Sequence, residues 1–152
     1  MAANTIPIFT RQPLLGTATW TSSSTANADS DGSGTIGTDI VLLASADSTN
    51  GSYINRVRFH PAATAAATAT AATVIRLFVS TQSSGSTTSS NTNLIAEAAA
   101  ASVTAASASA AAQPIDINLG LALEPGQHLL FSMHHAAASN TLWHASAYGG
   151  DY

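Results

Sequence analysis

The chain has no cysteine and no lysine, and only 8% of its residues are charged. Without cysteine there is no disulfide framework, which excludes a small domain stapled by bridges. Without lysine the phosphate loop GxxxxGK cannot be written. Four arginines stand against eight acidic residues, for a net charge of −4. Nucleic acid and anionic membrane surfaces both need a dense basic field, so neither is expected as a partner. The opening residues Met1-Ala2-Ala3-Asn4-Thr5-Ile6-Pro7 lack the basic region and long apolar run of a signal peptide. The alanine-rich residues 96–112 are broken by Glu97, Ser and Thr, and alanine is too weakly apolar to drive a membrane span.

What fills the chain instead is 32 alanines, 20 serines and 19 threonines, 71 of 152 residues. A free globular protein carries about 25% charged residues, so this surface must be built from hydroxyls, methyls and backbone. Such a surface fits a protein packed against copies of itself or a larger assembly better than a metabolic enzyme in free solution. The length implies one domain with enough chain for a core. Alanine inflates the 45% hydrophobic fraction, however, and the large apolar residues cluster in short runs.

Residues 1–20 read as an extended N-terminal arm ahead of a single domain at residues 21–152. Ile6-Pro7-Ile8-Phe9 and Gln12-Pro13-Leu14-Leu15 each set a proline, which cannot donate to a ladder, inside an apolar run; they are edge strands or a docked arm. Residues 21–38 form a polar, glycine-rich loop. Asp39-Ile40-Val41-Leu42-Leu43 fits a strand buried on both faces, and Asn50-Gly51 after it signals a hairpin. Alternation then puts Tyr53, Asn55, Val57 and Phe59 on one face and Ile54, Arg56, Arg58 and His60 on the other.

Residues 61–73 have helical propensity, but their threonines, Pro61 and the strands on both sides favour a loop or a β extension. Val74-Ile75-Arg76-Leu77-Phe78-Val79 is a strand, and residues 80–93 are a polar loop. Asn93-Leu94-Ile95-Ala96-Glu97 opens a strand that runs into residues 98–112, where Val103 alone cannot anchor a helical apolar stripe; strand is preferred to helix. Ile115, Ile117, Leu119, Leu121 and Leu123 at period two mark a half-buried strand. Glu124-Pro125-Gly126-Gln127 reads as a type II turn that returns residues 128–134 as its partner. Residues 142–148 give the last strand, with Gly149-Gly150 freeing the tail. Seven or eight strands and no helix predict an all-β fold, a jelly-roll-like antiparallel β-sandwich with an extended N-terminal arm.

Motifs with chemistry are weak. Gly32-Ser33-Gly34-Thr35-Ile36-Gly37 spells GxGxxG, but a polar loop precedes it and a strand follows, whereas a dinucleotide needs a helix N-terminus there; the glycines read as a flexible loop. Counting a calcium loop from Asp29 puts Ile40 where a glutamate is required. His128 and His134 share a strand face, His135 points away, and His144 can join either set, but no HxH or HExxH spacing is present. There is no GxSxG elbow. Glycoside hydrolysis needs two carboxylates across a cleft; only Glu97 and Glu124 are glutamates, and Glu124 sits in a turn. No catalytic residue, cofactor or metal is expected. Arg56 and Arg58 on one face, with Arg76 nearby, suit carboxylates of a neighbouring subunit or pairing with Asp39, Asp47 or Asp116. Trp20, Trp143, Tyr148 and Tyr152 are aromatic anchors for core, subunit or sugar contact.

One resemblance spans most of the chain. The Pro-containing arm and Thr/Ala/Gly-rich lead come first, followed by Asn50-Gly51-Ser52-Tyr53-Ile54-Asn55-Arg56-Val57-Arg58 and Val74-Ile75-Arg76-Leu77-Phe78-Val79. Then come Asn93-Leu94-Ile95-Ala96-Glu97, the leucine-alternating strand ending in Pro125-Gly126, and Gly149-Gly150-Asp151-Tyr152. This order resembles small β-sandwich proteins among the virion structural genes of tailed bacteriophages. The resemblance implies a capsid decoration (cement) protein, made in the host bacterial cytoplasm. It would self-associate, as a trimer for preference, and bind the major capsid protein on the capsid exterior. Its expected interface residues are Ile6, Ile8, Phe9, Arg11, Trp20, Arg56, Arg58, Trp143 and Tyr148. The competing expectation is a tail or fibre module that reads host-surface glycans through Trp143 and Tyr148.

Overall fold

Strands are the only regular elements among the described residues. The structure is a computed structural model that describes residues 10–65, 68–105 and 111–152. The strands are β1 (Gln12–Thr21), β2 (Gly34–Ile36), β3 (Val41–Ser45), β4 (Ser52–Ala63), β5 (Thr73–Ser80), β6 (Gly85–Thr87), β7 (Thr92–Ala100), β8 (Ile115–Leu123), β9 (His128–Met133) and β10 (Thr141–Asp151). They form one sheet in the order β1-β10-β4-β8, a second in the order β3-β9-β5-β7, and a β2-β6 ribbon, with every strand pair antiparallel.

With the ribbon set aside and the other eight strands renumbered in chain order, the sheets read 1-8-3-6 and 2-7-4-5. Among the described strands, only β5 and β7 are then consecutive and paired in one sheet; each other strand of the eight is followed by one in the opposite sheet. This is jelly-roll topology, and the expected all-β sandwich of seven to eight strands is what forms.

The crossings correct several local expectations. Asn50-Gly51 does make a turn: Gly51 has φ 79°, and Asp47 accepts the amides of Thr49 and Asn50. The turn carries the chain from β3 in one sheet to β4 in the other, so it is an arch and not a hairpin. Pro125-Gly126 behaves likewise. Gly126 has φ 81°, and the Gln127 amide donates to the Glu124 carbonyl at 3.0 Å. Yet β8 pairs with β4 while β9 pairs with β3 and β5. From Gln12 onward the expected arm is an edge strand of the sandwich, paired along its length with β10. Residues 61–63 extend β4, and β7 carries strand structure through Ala100. Residues 106–110, part of the second ambiguous stretch, lie outside the described residues.

The β4 alternation breaks at one point. Register shifts by a residue at Asn55 against both β8 and β10, so Ile54 turns inward with Val57 and Phe59 instead of joining Arg56 and Arg58 outside. Gly149 sits opposite the irregularity, where a Cβ would overlap the Tyr53 carbonyl. Both late glycines therefore lie inside β10, Gly149 letting β4 approach and Gly150 leaving room for the Thr10 side chain; they do not free the tail.

Aromatic rings join the sheets. Phe131 of β9 meets Phe59 of β4 edge-on at 5.3 Å between centroids and Trp20 of β1 at 6.1 Å. All three are fully buried, and the Trp20 indole donates to the His135 carbonyl at 3.1 Å. Trp143, cross-strand partner of Trp20, is buried beside it.

The second sheet is also covered on its outer side. Ile40, Phe78 and Leu130 form a small cluster there, with Ile36 and Leu42 against it. The cover is the glycine-rich segment expected as a flexible loop, part of which is β2, paired with β6 from the other expected loop. Arg76 fastens it. Its guanidinium bonds the carbonyls of Asn27 and Ala28 at 3.2 and 3.3 Å and the Glu97 carboxylate at 2.8 Å. Arg76 is thus buried and paired within the chain, not presented to a neighbour beside Arg56 and Arg58.

Two outcomes test this packing. Phe131→Ala should cost about 3–5 kcal/mol in urea unfolding, as large-to-small aromatic core changes do; a loss below about 1 kcal/mol would contradict the inter-sheet role. Arg76→Ala should speed amide hydrogen exchange in residues 25–40 while β4 and β9 stay protected, and unchanged exchange there would show that the cover is held by something else.

Candidate interaction face

Among the described residues, the cover leaves the first sheet as the one with an open outer face. Three of its cross-strand rows carry most of its polar side chains. The first is Leu15, Tyr148, Arg56 and Asn118; the second is Thr17, Ser146, Arg58 and Asp116; the third is Thr19, His144 and His60. The first two rows run across all four strands. The third ends at His60, because β8 begins at Ile115, opposite Phe59.

Charge on this face is arranged by geometry. Arg58 grips Asp116 as a fork, with Nε–Oδ1 and Nη2–Oδ2 both at 2.8 Å. That hydrogen bond holds the Asp116 carboxyl below the usual carboxylate range and raises Arg58. Arg56 lies 4.8 Å over the centre of the Tyr148 ring, a cation–π contact. Arg11 pairs with Asp47 and Arg76 with Glu97, so among the described residues Arg56 is the arginine without a carboxylate partner. The face therefore carries two arginines against one aspartate, while the other seven acidic residues lie elsewhere on an acidic molecule.

The sequence-predicted interface residues separate into groups. Arg56, Arg58 and Tyr148 come together here. Arg11 sits at the rim, 3.3 Å from Asp47. Trp20 and Trp143 belong to the core at 0% and 2% exposure, so neither ring is available to a partner or a sugar. Ile6, Ile8 and Phe9 lie outside the described residues. The sequence reading missed two features. Leu15 is 63% exposed at the sheet edge, which proline placement alone did not indicate. His144 joins His60, in the opposite sheet from His128; the alternation put His60 on the face of Arg56 and Arg58, but only the β10 register supplies its partner.

Other polar groups give limited chemistry. His128 Nδ1 lies 2.9 Å from Ser45 Oγ, its cross-strand neighbour. Among the described residues no carboxylate bonds that ring, as the base of a triad requires. No three of His, Cys, Asp and Glu gather as a metal-ligating set among the described residues.

These groups set a pH dependence. Asp116 is lowered by Arg58, Asp47 by the amides of Asn50 and Thr49 and then by Arg11, and Asp31 by Ser33. A carboxyl lowered on folding contributes stability that is full above its unfolded value of about 3.9 and lost as pH falls through the folded one. His128 is lowered by burial, so its contribution is full above about 6.5 and declines as pH falls below that value. The melting temperature should be flat above neutrality, fall modestly below about pH 6.5 and steeply below about pH 4. His128→Gln should remove the first fall; a melting temperature that rises on acidification from neutrality would contradict the assignment.

No family model matches the chain, and no curated protein matches it. Among solved structures the chain is similar to one from the cyanophage Pam1 capsid asymmetric unit, at 14% sequence identity and a TM-score of 0.42, over 99% of this chain and 94% of that one.

Proposed function

We propose that the chain is a non-enzymatic virion structural protein that decorates a phage capsid from outside, seated on the major capsid protein through the open face of the β1-β10-β4-β8 sheet and associating as a homo-oligomer, a trimer for preference. The observation that carries this reading is the asymmetry of the sandwich: one sheet is covered by its own chain, and the other presents rows of Thr, Ser, His, Tyr and Arg with a leucine at the edge. The sequence resemblance to phage decoration proteins supports it.

Size supports it too. Four strands of about nine residues, at about 3.4 Å per residue and about 4.8 Å apart, span about 600 Å², close to the roughly 800 Å² per partner of a standard interface. Few charges must be stripped of water on docking, which keeps the desolvation cost low. A cement protein needs only to bind the assembled shell better than the dissociated one, since that difference adds to shell stability. Several contacts from one oligomer make the later ones intramolecular.

Arg56→Glu with Arg58→Glu should abolish co-sedimentation with virions that carry the protein while circular dichroism still shows the folded sandwich. Removal of residues 1–9, which stops short of β1, should weaken binding without unfolding. Full-strength binding by the double charge reversal would remove the face from the account.

A further inference from the structure

The third row of the open face places two imidazoles side by side. His60 and His144 are direct register partners on β4 and β10. Both are exposed, and the residues flanking each of them, Phe59, Pro61, Trp143 and Ala145, are buried, so both rings stand on the same outer side. Directly opposed residues on antiparallel strands hold their Cβ atoms about 4.5–5.5 Å apart. An imidazole nitrogen binds a transition ion at about 2.0–2.1 Å, a span that lets two rings so placed share one ion.

The surroundings favour nitrogen ligation. Thr19 stands opposite His144 on the far side, bringing a hydroxyl and no charge. On the other side of His60 the β4–β8 ladder has already ended, at Phe59 and Ile115. Arg58, two residues along β4, has its charge engaged by Asp116, the acidic residue of the next row. Two nitrogen donors with no carboxylate suit Cu²⁺, Ni²⁺ or Zn²⁺ and not Ca²⁺ or Mg²⁺, which require oxygen ligands.

We infer that His60 and His144 form an open two-imidazole site for a divalent first-row transition ion. Cu²⁺ binds tightest by the general order of such ions. The remaining coordination positions are filled by water and point away from the sheet, towards whatever faces it. The assignment is independent of the capsid reading, because it needs only the β4–β10 register.

The other histidines serve as controls. His128 is bonded to Ser45, and His134 and His135 are chain neighbours in edge contact at 4.7 Å. Ni²⁺ titrated into the full chain, followed by calorimetry and by paramagnetic broadening in two-dimensional NMR, tests the site. Broadening should centre on residues 60 and 144. Loss of a group that only hydrogen-bonds to a metal ligand costs about 10–100-fold in metal affinity, so His60→Ala and His144→Ala should each weaken binding by at least about tenfold. His128→Ala should leave it unchanged, and Ca²⁺ should give no response. Ni²⁺ affinity retained in both His60→Ala and His144→Ala, or broadening centred on other residues, would overturn the assignment.

Discussion

The contact of Phe131 with Phe59 and Trp20 sets the two sheets against each other, and the surface follows from it. The ring of β9 reaches across from the second sheet, so the inner sides of both sheets are fixed at that point. What is then outside on the second sheet is Phe78, Leu130 and the guanidinium of Arg76. An apolar patch and a charge cannot both be left to water and to chance; the chain closes over them with residues 22–40, and Arg76 bonds the carbonyls of that cover. On the first sheet most outward positions are Thr, Ser, Arg, His, Tyr, Asn and Asp, with Leu15 exposed at the edge, and this face is left without a cover among the described residues. The open face is thus a consequence of which strand positions carry polar side chains.

The fold class was legible because period-two patterning survives alanine enrichment where large residues remain. Ile115, Ile117, Leu119, Leu121 and Leu123 alternate in burial as the spacing implies. Connectivity was not legible. Asn50-Gly51 and Pro125-Gly126 carry the chemistry of tight turns, but turn chemistry does not reveal whether the next strand pairs with the last or crosses to the other sheet. The displacement at Asn55 was equally hidden, since nothing in residues 53–60 breaks the alternation; the signal was Gly149, almost a hundred residues away in sequence, where β4 comes too close for a Cβ.

The candidate face was half legible. Arg56 and Arg58 were placed correctly because they flank the inward Val57, and Tyr148 meets them through the β10 register. Trp20 and Trp143 misled because an aromatic residue fits an interface and a core equally well in sequence. Their burial as register partners removes them from any surface role and withdraws Trp143, one of the two rings offered for glycan stacking, while Tyr148 stays on the open face. Arg76 misled for a related reason: an arginine in an apolar strand reads as exposed, yet here two backbone carbonyls and Glu97 satisfy it in a nearly buried position.

A surface low in charge and rich in hydroxyls suits a protein most of whose surface meets other protein, and in the proposed docking the β1-β10-β4-β8 face does the meeting. Hydroxyl-radical footprinting of the protein free and on virions measures this directly. Docking through this face requires that Leu15, Tyr148, His60 and His144 lose reactivity on the shell while side chains of the cover at residues 29–38 keep theirs. Shielding of the cover with the four face residues still reactive would contradict it.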